Sequence, residues 1–290
     1  MVKANRWFKV TCWILVSIIT IVTILPFIYI LAVSFSSPDA VNSGEVTLYP
    51  IKFTLDSYIG FYKNAEVVSS LKNSIVLAVV GTLLNMVFSI LCAYPLSRPE
   101  LKGKRIIIYT LLFIMFFRPS IIPSFLWMKY IGVTNTYWAI WFTKLIGVYN
   151  VLILKTFFQR VPKSVISAAR IDGASEWEIL FKIVLPMSKA ALVTIATFYF
   201  IGWWNEYYLS LVYISDTEKF TLPVRIIQMI RNVTESTTSF IDRDELSKLS
   251  VAGVRAAGIV ISIIPVLCLL PFLQKYYTKG MAISSFKEKK

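Results

Sequence analysis

Long apolar runs separated by short polar stretches dominate the chain, and the lengths of those runs set the first expectation. A helix needs about 20 residues to cross a hydrocarbon core of roughly 30 Å. Six segments approach or exceed that length: about Cys12 to Ser34, Leu71 to Leu96, Ile106 to Trp127, Trp138 to Phe158, Lys189 to Ile214 and Gly253 to Tyr276. The pattern predicts an all-α, polytopic membrane protein with six transmembrane helices. It divides into residues 1–70 (N-terminal segment, first helix and outer loop), 71–276 (a core of five helices with an inner loop at 159–188) and 277–290 (a basic tail).

An even number of spans places both termini on one side, and the basic residues say which. With the N-terminus inside, the inner segments carry 17 lysines and arginines and the outer ones nine, the latter spread among ten acids. Basic residues near span ends resist translocation, so both termini are expected on the cytoplasmic side of the membrane. An alternative makes the first span a cleaved signal peptide, with Ala32-Val33-Ser34 as a small-residue cleavage site. Its apolar run exceeds the ~7–15 residues of a signal core, so a retained helix fits better.

Composition agrees. Of 290 residues, 57% are hydrophobic and 16% charged, whereas soluble domains have about a quarter of their residues charged; the mean hydropathy is +0.68. The net charge of +14 belongs to membrane topology rather than to nucleic-acid binding, so lipid and not nucleic acid is the expected partner of the surface. There is no histidine, and Cys12, Cys92 and Cys268 lie in apolar stretches without ligand spacing, which points to free thiols and to no metal site. Prolines 26, 95, 119, 123, 265 and 271 fall inside or at the ends of spans, where they kink helices or simply shape packing.

The inner loop Gln159–Ser188 reads as two helices and a turn. Lys163–Arg170 is helix-compatible after Pro162, and Asp172-Gly173 stops it because glycine tolerates the left-handed conformation. Ser175 with Glu178 forms a capping-box pattern, and Trp177, Leu180 and Phe181 make an apolar stripe before Leu185-Pro186 returns the chain to the bilayer. Small residues Ala168, Ala169, Gly173 and Ala174 allow close backbone approach, and Ile171 and Trp177 supply apolar anchors. A docking element fits this pattern; an amphipathic helix lying on lipid is the alternative.

Ser167-Ala168-Ala169-Arg170-Ile171-Asp172-Gly173-Ala174, followed by Ile183 and Leu185-Pro186, closely resembles the EAA signature of binding-protein-dependent importer permeases. The resemblance extends from Leu71 to the C-terminus. Asn73-Ser74, Ala93-Tyr94-Pro95-Leu96-Ser97-Arg98, Gly132-Val133-Thr134-Asn135-Thr136, Trp204-Asn205-Glu206 and Thr221-Leu222-Pro223-Val224 are similar to the carbohydrate branch. The ending Leu273-Gln274-Lys275-Tyr276-Tyr277-Thr278-Lys279-Gly280 resembles permeases of oligosaccharide and polysaccharide-fragment uptake. The resemblance implies a type I ABC importer permease fold and a coupling helix seated on an ATPase, with Ser167, Ala168, Ala169, Asp172, Gly173, Ala174, Trp177, Leu185 and Pro186 as coupling residues. It implies as partners a second permease subunit, two cytoplasmic ATPase subunits, an extracellular solute-binding protein and a sugar. Ser167 departs from the family pattern, which has glutamate there, and so offers no carboxylate for an ion pair to the ATPase at that position.

No phosphate-binding loop occurs, since Gly103-Lys104 lacks both the upstream glycine and the following hydroxyl. The chain is therefore not its own ATPase by that route, and the resemblance implies that it binds no cofactor and is no enzyme, with ATP and Mg on a separate ATPase. Polar groups at membrane depth are functional candidates by default. For a translocation cavity these are Asn85, Arg118, Asn150, Trp204, Asn205 and Glu206, an aromatic and hydrogen-bonding set suited to sugar hydroxyls. Arg118 pairing with Glu206, and Lys144 and Arg255 snorkelling to the interface, are structural alternatives. An ion-coupled secondary transporter would need more intramembrane carboxylates than Glu206 and two similar halves.

Overall fold

A computed structural model describes residues 6–63, 65–117, 119–231 and 250–285. Three unbroken helices are long and apolar enough to cross a bilayer: Trp7–Ser34, Glu66–Ser97 and Val251–Leu269. The other crossings are helix pairs interrupted by a few residues. Lys104–Phe116 precedes Ile121–Tyr130, Tyr137–Thr143 meets Val148–Gln159 at 57°, and Glu176–Met187 turns by 84° into Lys189–Trp204. Counting each pair as one crossing gives the six spans expected, with Lys189–Trp204 crossing in the fifth and Glu176–Met187 belonging to the inner loop.

The expected helices differ from the structure in their continuity. The third span is interrupted between Phe116 and Ile121, and the fourth between Thr143 and Val148. The fifth stops at Trp204 and resumes as Tyr208–Tyr213. Each break has a local cause. Pro119 has no N–H to give and disfavours helix in the residue before it. Gly147 is extended at φ −86 and ψ 98 ahead of the second half of span four. The Asn205 amide turns back to the Ile201 carbonyl at 2.9 Å and ends its helix. Backbone freed at membrane depth is tolerated only where protein or a cavity serves it, which makes the three breaks the natural place to look for function.

The chain forms two compact units. One comprises residues up to Ser69 with Arg225–Pro265. Within it, Ala32, Val33, Ala40, Val46 and Ala256 form a small buried cluster, and Ser34 Oγ lies 3.0 Å from Tyr58 Oη. Trp7, Trp13 and most side chains to Leu31 on the first span are exposed, an apolar surface of the kind a bilayer covers.

The second unit runs from Ser70 to Val224 and continues from Val266. Its core joins Leu77, Ala93, Ile140, Val151, Leu154, Phe158, Ile179, Leu180 and Ile195, all buried. One stripe of span two organises it. Gly81, Asn85 and Ser89 recur every fourth residue and so share a helix face, and they meet Trp203 and Tyr199 of span five. A Cβ on Gly81 would sit 2.7 Å from the Trp203 indole, so only glycine admits that ring. The Trp203 indole N–H donates to Asn85 Oδ1, and Ser89 Oγ lies 2.7 Å from Tyr199 Oη. Small residues permitting close approach, with hydrogen bonds across the contact, are how membrane helices associate without a hydrophobic driving force.

At one end of this unit the loops are tied by asparagines. Asn73 donates to the Glu218 and Phe220 carbonyls at 2.7 and 3.1 Å. Asn135, at φ 61, accepts from the Ser215 and Asp216 amides at 3.2 and 3.0 Å. Ser74 Oγ receives the Leu222 N–H at 2.8 Å. The short motifs around Asn73, Gly132–Thr136 and Thr221–Val224 thus meet as one set of loop fastenings.

Candidate functional site

Two places carry the predicted site residues: the inner-loop segment and a cavity at the helix breaks.

The inner segment folds as its sequence predicts. Lys163–Ile171 is a helix capped at Asp172, and Gly173 follows at φ 84. The Gly173 N–H donates to the Arg170 carbonyl at 3.1 Å and the Ala174 N–H to the Ala169 carbonyl at 2.9 Å. That pair of bonds is the Schellman arrangement. Ser175 then forms both halves of the capping box with Glu178, and the helical run to Met187 includes a π-helical stretch at Ile179–Val184. Hydrogen bonds from Lys182 and then Ser175 pull the Glu178 carboxyl down to about 2. Being lowered, it adds its stabilisation above the ordinary value of 4.5 and loses it as pH falls from there towards about 2.

The segment has two faces. Ile166, Ile179, Leu180 and Val184 are buried in the core, and Ala169, Ala174 and Leu185 pack against it. Ser167, Ala168, Asp172, Gly173 and Pro186 are exposed. Ile171 is 86% exposed and Trp177 60%, values that make them unusual for apolar side chains on an ordered loop. Trp177 stacks on Phe181 with centroids 6.2 Å apart. Ionic contacts fix this frame to the end of span two: Arg170 bridges Glu100 at 3.1 Å and Glu176 at 2.8 Å. Glu176 in turn accepts from Tyr94 Oη at 2.5 Å, and Arg98 lies 4.5 Å over the Tyr94 ring. Hydrogen bonding to Glu100 and Glu176 raises the Arg170 pKa, and the Glu100 carboxyl is lowered by a hydrogen bond within its own backbone and by Arg170.

The breaks in spans three, four and five converge on a cavity of about 570 Å³ whose walls include Pro119, Lys144, Gly147, Tyr199, Trp203 and Tyr208. Of the predicted cavity residues, Asn85 lines it. Its amide is occupied: Nδ2 donates to the Lys144 and Leu145 carbonyls at 2.6 and 2.9 Å, which the break in span four leaves without helical partners. Glu206 is buried just behind the wall. One carboxylate oxygen accepts the Leu209 N–H at 2.9 Å, an orphan donor at the start of Tyr208–Tyr213, and the other pairs with Lys144. Lys144 is thus an ion-pair partner rather than a group reaching for the interface.

The remaining predicted residues lie elsewhere. Trp204 is buried and stacks on Phe200; Asn205 is exposed at its helix end; Asn150 is half-buried in span four and is not among the walls. Arg118 lies outside the described residues, as does the pairing of Arg118 with Glu206. Sequence reasoning counted Lys144 among the polar groups at membrane depth but not among the cavity residues, and it missed Gly81, Ser89 and Tyr199 altogether. The four-residue spacing of glycine, asparagine and serine within an apolar helix was the available signal.

Broken spans around a cavity, joined to an ordered inner loop with an exposed apolar end, suit a membrane permease. Residues 1–283 match the family described as "binding-protein-dependent transport system inner membrane component", and the chain belongs to that family. Protein LplC of Bacillus subtilis (strain 168) is 35% identical over 285 residues, 98% of this chain and 96% of LplC. The polygalacturonan/rhamnogalacturonan transport system permease protein YtcP of the same organism is 34% identical over 283 residues, 98% of this chain and 99% of YtcP. A chain in the crystal structure of a bacterial ABC transporter involved in the import of the acidic polysaccharide alginate superposes with a TM-score of 0.88 at 30% identity, covering 96% of this chain and 99% of that one. The protein is accordingly an ABC-importer permease and not an enzyme, with the ATPase on a separate subunit, and the ion-coupled reading is set aside.

Proposed function

We propose that this permease carries a sugar or oligosaccharide into the cytoplasm by alternating access. It would do so beside a second, different permease subunit, above two ATPase subunits that hold ATP and Mg, and beneath an extracellular binding protein. The observation that carries the coupling is the rigid inner segment with Ile171 and Trp177 exposed at its end. Apolar anchors on a fixed frame suit a protein groove. Ser167, Ala168, Asp172 and Gly173 would face the ATPase, whereas Ala169 and Ala174, expected at the same contact, pack against the core behind them; Leu185 and Pro186 would pass the movement to span five at the 84° turn. Two conformations of the complex must then differ in their contacts at this loop for ATP to shift between them.

The substrate class rests on relatives: YtcP is a polygalacturonan/rhamnogalacturonan permease, and the alginate importer handles a polysaccharide. A cavity of about 570 Å³ bordered by aromatic side chains and broken helices suits a sugar. Uptake into proteoliposomes by the complex purified from native membranes tests the reading.

The orientation belongs to the proposal too, with both termini cytoplasmic. A reporter fused after Lys290 is expected to be active inside and one inserted near Ser236 active outside, as the 17-to-9 distribution of basic residues requires. Reversal of either result overturns the orientation.

A further inference from the structure

We infer that Lys144 is the cavity's charge-reading residue and that the sugar it favours is acidic, carrying carboxylates as a uronate oligosaccharide does. The inference rests on the import function proposed above and adds the charge of the cargo. Lys144 sits where the fourth span breaks and lines the cavity. Its side chain is 47% exposed, whereas that of its partner Glu206 is 6% exposed. The lysine side chain therefore borders the cavity, and the carboxylate it pairs with is enclosed by protein.

The carboxylate is already saturated from behind, holding the Leu209 N–H on one oxygen and Lys144 on the other. An ammonium has three donors, so the bond to Glu206 leaves the others for a ligand. Among the described walls there is no aspartate or glutamate to compete for them. The surrounding surface is aromatic: Trp203 has its ring 5.7 Å from the ammonium, and Phe198 and Tyr208 are 42% and 50% exposed at the same cavity. A pyranose offers an apolar C–H face for such rings, and a uronate adds a carboxylate for Lys144. An unpaired lysine at membrane depth would be costly. Glu206 keeps the charge in place while the cavity is empty, and a carboxylate on the passing sugar joins the pair as a third member.

The test uses the complete importer in proteoliposomes with its binding protein loaded with an oligogalacturonate. The double variant Lys144→Gln with Glu206→Gln removes both charges and retains side chains able to hydrogen-bond each other. It is expected to assemble and to melt close to the parent, but to take up the oligogalacturonate roughly tenfold or more slowly, the loss of a hydrogen bond to a charged group. Uptake at the parental rate overturns the inference. Should the double variant fail to assemble, Lys144→Cys combined with Glu206→Asn, in a background lacking Cys12, Cys92 and Cys268, reads the same charge without stranding a buried carboxylate. Recovery with an aminoethyl thiosulfonate and not with its neutral methyl counterpart supports the inference, and equal recovery with both overturns it. Parental transport of a neutral oligosaccharide but of no oligogalacturonate overturns the inference and leaves the proposed function standing; transport of neither removes both.

Discussion

Gly173→Val is expected to abolish uptake and binding-protein-stimulated ATP hydrolysis while leaving the chain inserted and the complex purifiable. Gly173 holds φ at +84, and a Cβ placed there would meet nothing within 4 Å. The penalty is therefore backbone strain and not a clash. A left-handed conformation costs an ordinary residue roughly 1–2 kcal/mol and a β-branched one more. The cheapest escape is to flip the turn, which breaks the bonds from Gly173 and Ala174 to the Arg170 and Ala169 carbonyls. Ile171, one residue before the turn, and Trp177, just beyond it, would then lose their fixed spacing. Gly173→Asn, which tolerates the left-handed region, should retain partial coupling. ATPase stimulation and uptake at parental levels in Gly173→Val would remove the docking role of the segment.

The second large effect is an asymmetry between the two members of the buried pair. Lys144→Met leaves the Glu206 carboxylate buried without its cation. Breaking a fully buried pair costs about 3–5 kcal/mol; with Lys144 half-exposed, roughly 2–3 kcal/mol is the expected loss in stability of the assembled permease. Glu206→Gln should cost less, because a glutamine can still accept the Leu209 N–H and Lys144 keeps access to the cavity. Combining Lys144→Gln and Glu206→Gln should cost less than the sum of the singles, the signature of direct coupling. Thermal melts of the purified complex measure all of these. Equal, additive losses would show that the pair does not act as a unit. Asn205→Leu should change little in comparison, since its exposed amide only closes the Ile201 carbonyl.

Much of this arrangement was legible in the sequence because it depends on local rules. The number and order of spans follow from apolar run length, and the inner segment follows from Asp172-Gly173 and the Ser175–Glu178 capping box, each confined to a few residues. The carbohydrate-branch motifs around Asn73, Asn135 and Thr221 were recognisable as patterns, but their purpose was not. They fasten loops to one another across separations such as the 145 residues between Asn73 and Glu218, which no local rule connects.

The cavity was the least legible part. Polarity at membrane depth singled out Asn85 and Glu206, yet it could not separate a residue that faces substrate from one that repairs a broken helix. Asn85 repairs the break in span four and Glu206 the start of Tyr208–Tyr213. Lys144 could be read from the sequence either as a polar group at membrane depth or as a lysine snorkelling to the interface. The break between Thr143 and Val148 brings it to the cavity wall.

The central claim, that this permease imports saccharide under ATP control, is tested most directly in proteoliposomes containing the complex purified from native membranes. Radiolabelled oligogalacturonate and a neutral oligosaccharide are supplied in turn with the binding protein outside and ATP with Mg inside. The account predicts accumulation of at least one of them that requires both ATP and the binding protein and disappears in Gly173→Val. Accumulation that persists without ATP and collapses with the proton or sodium gradient would contradict it.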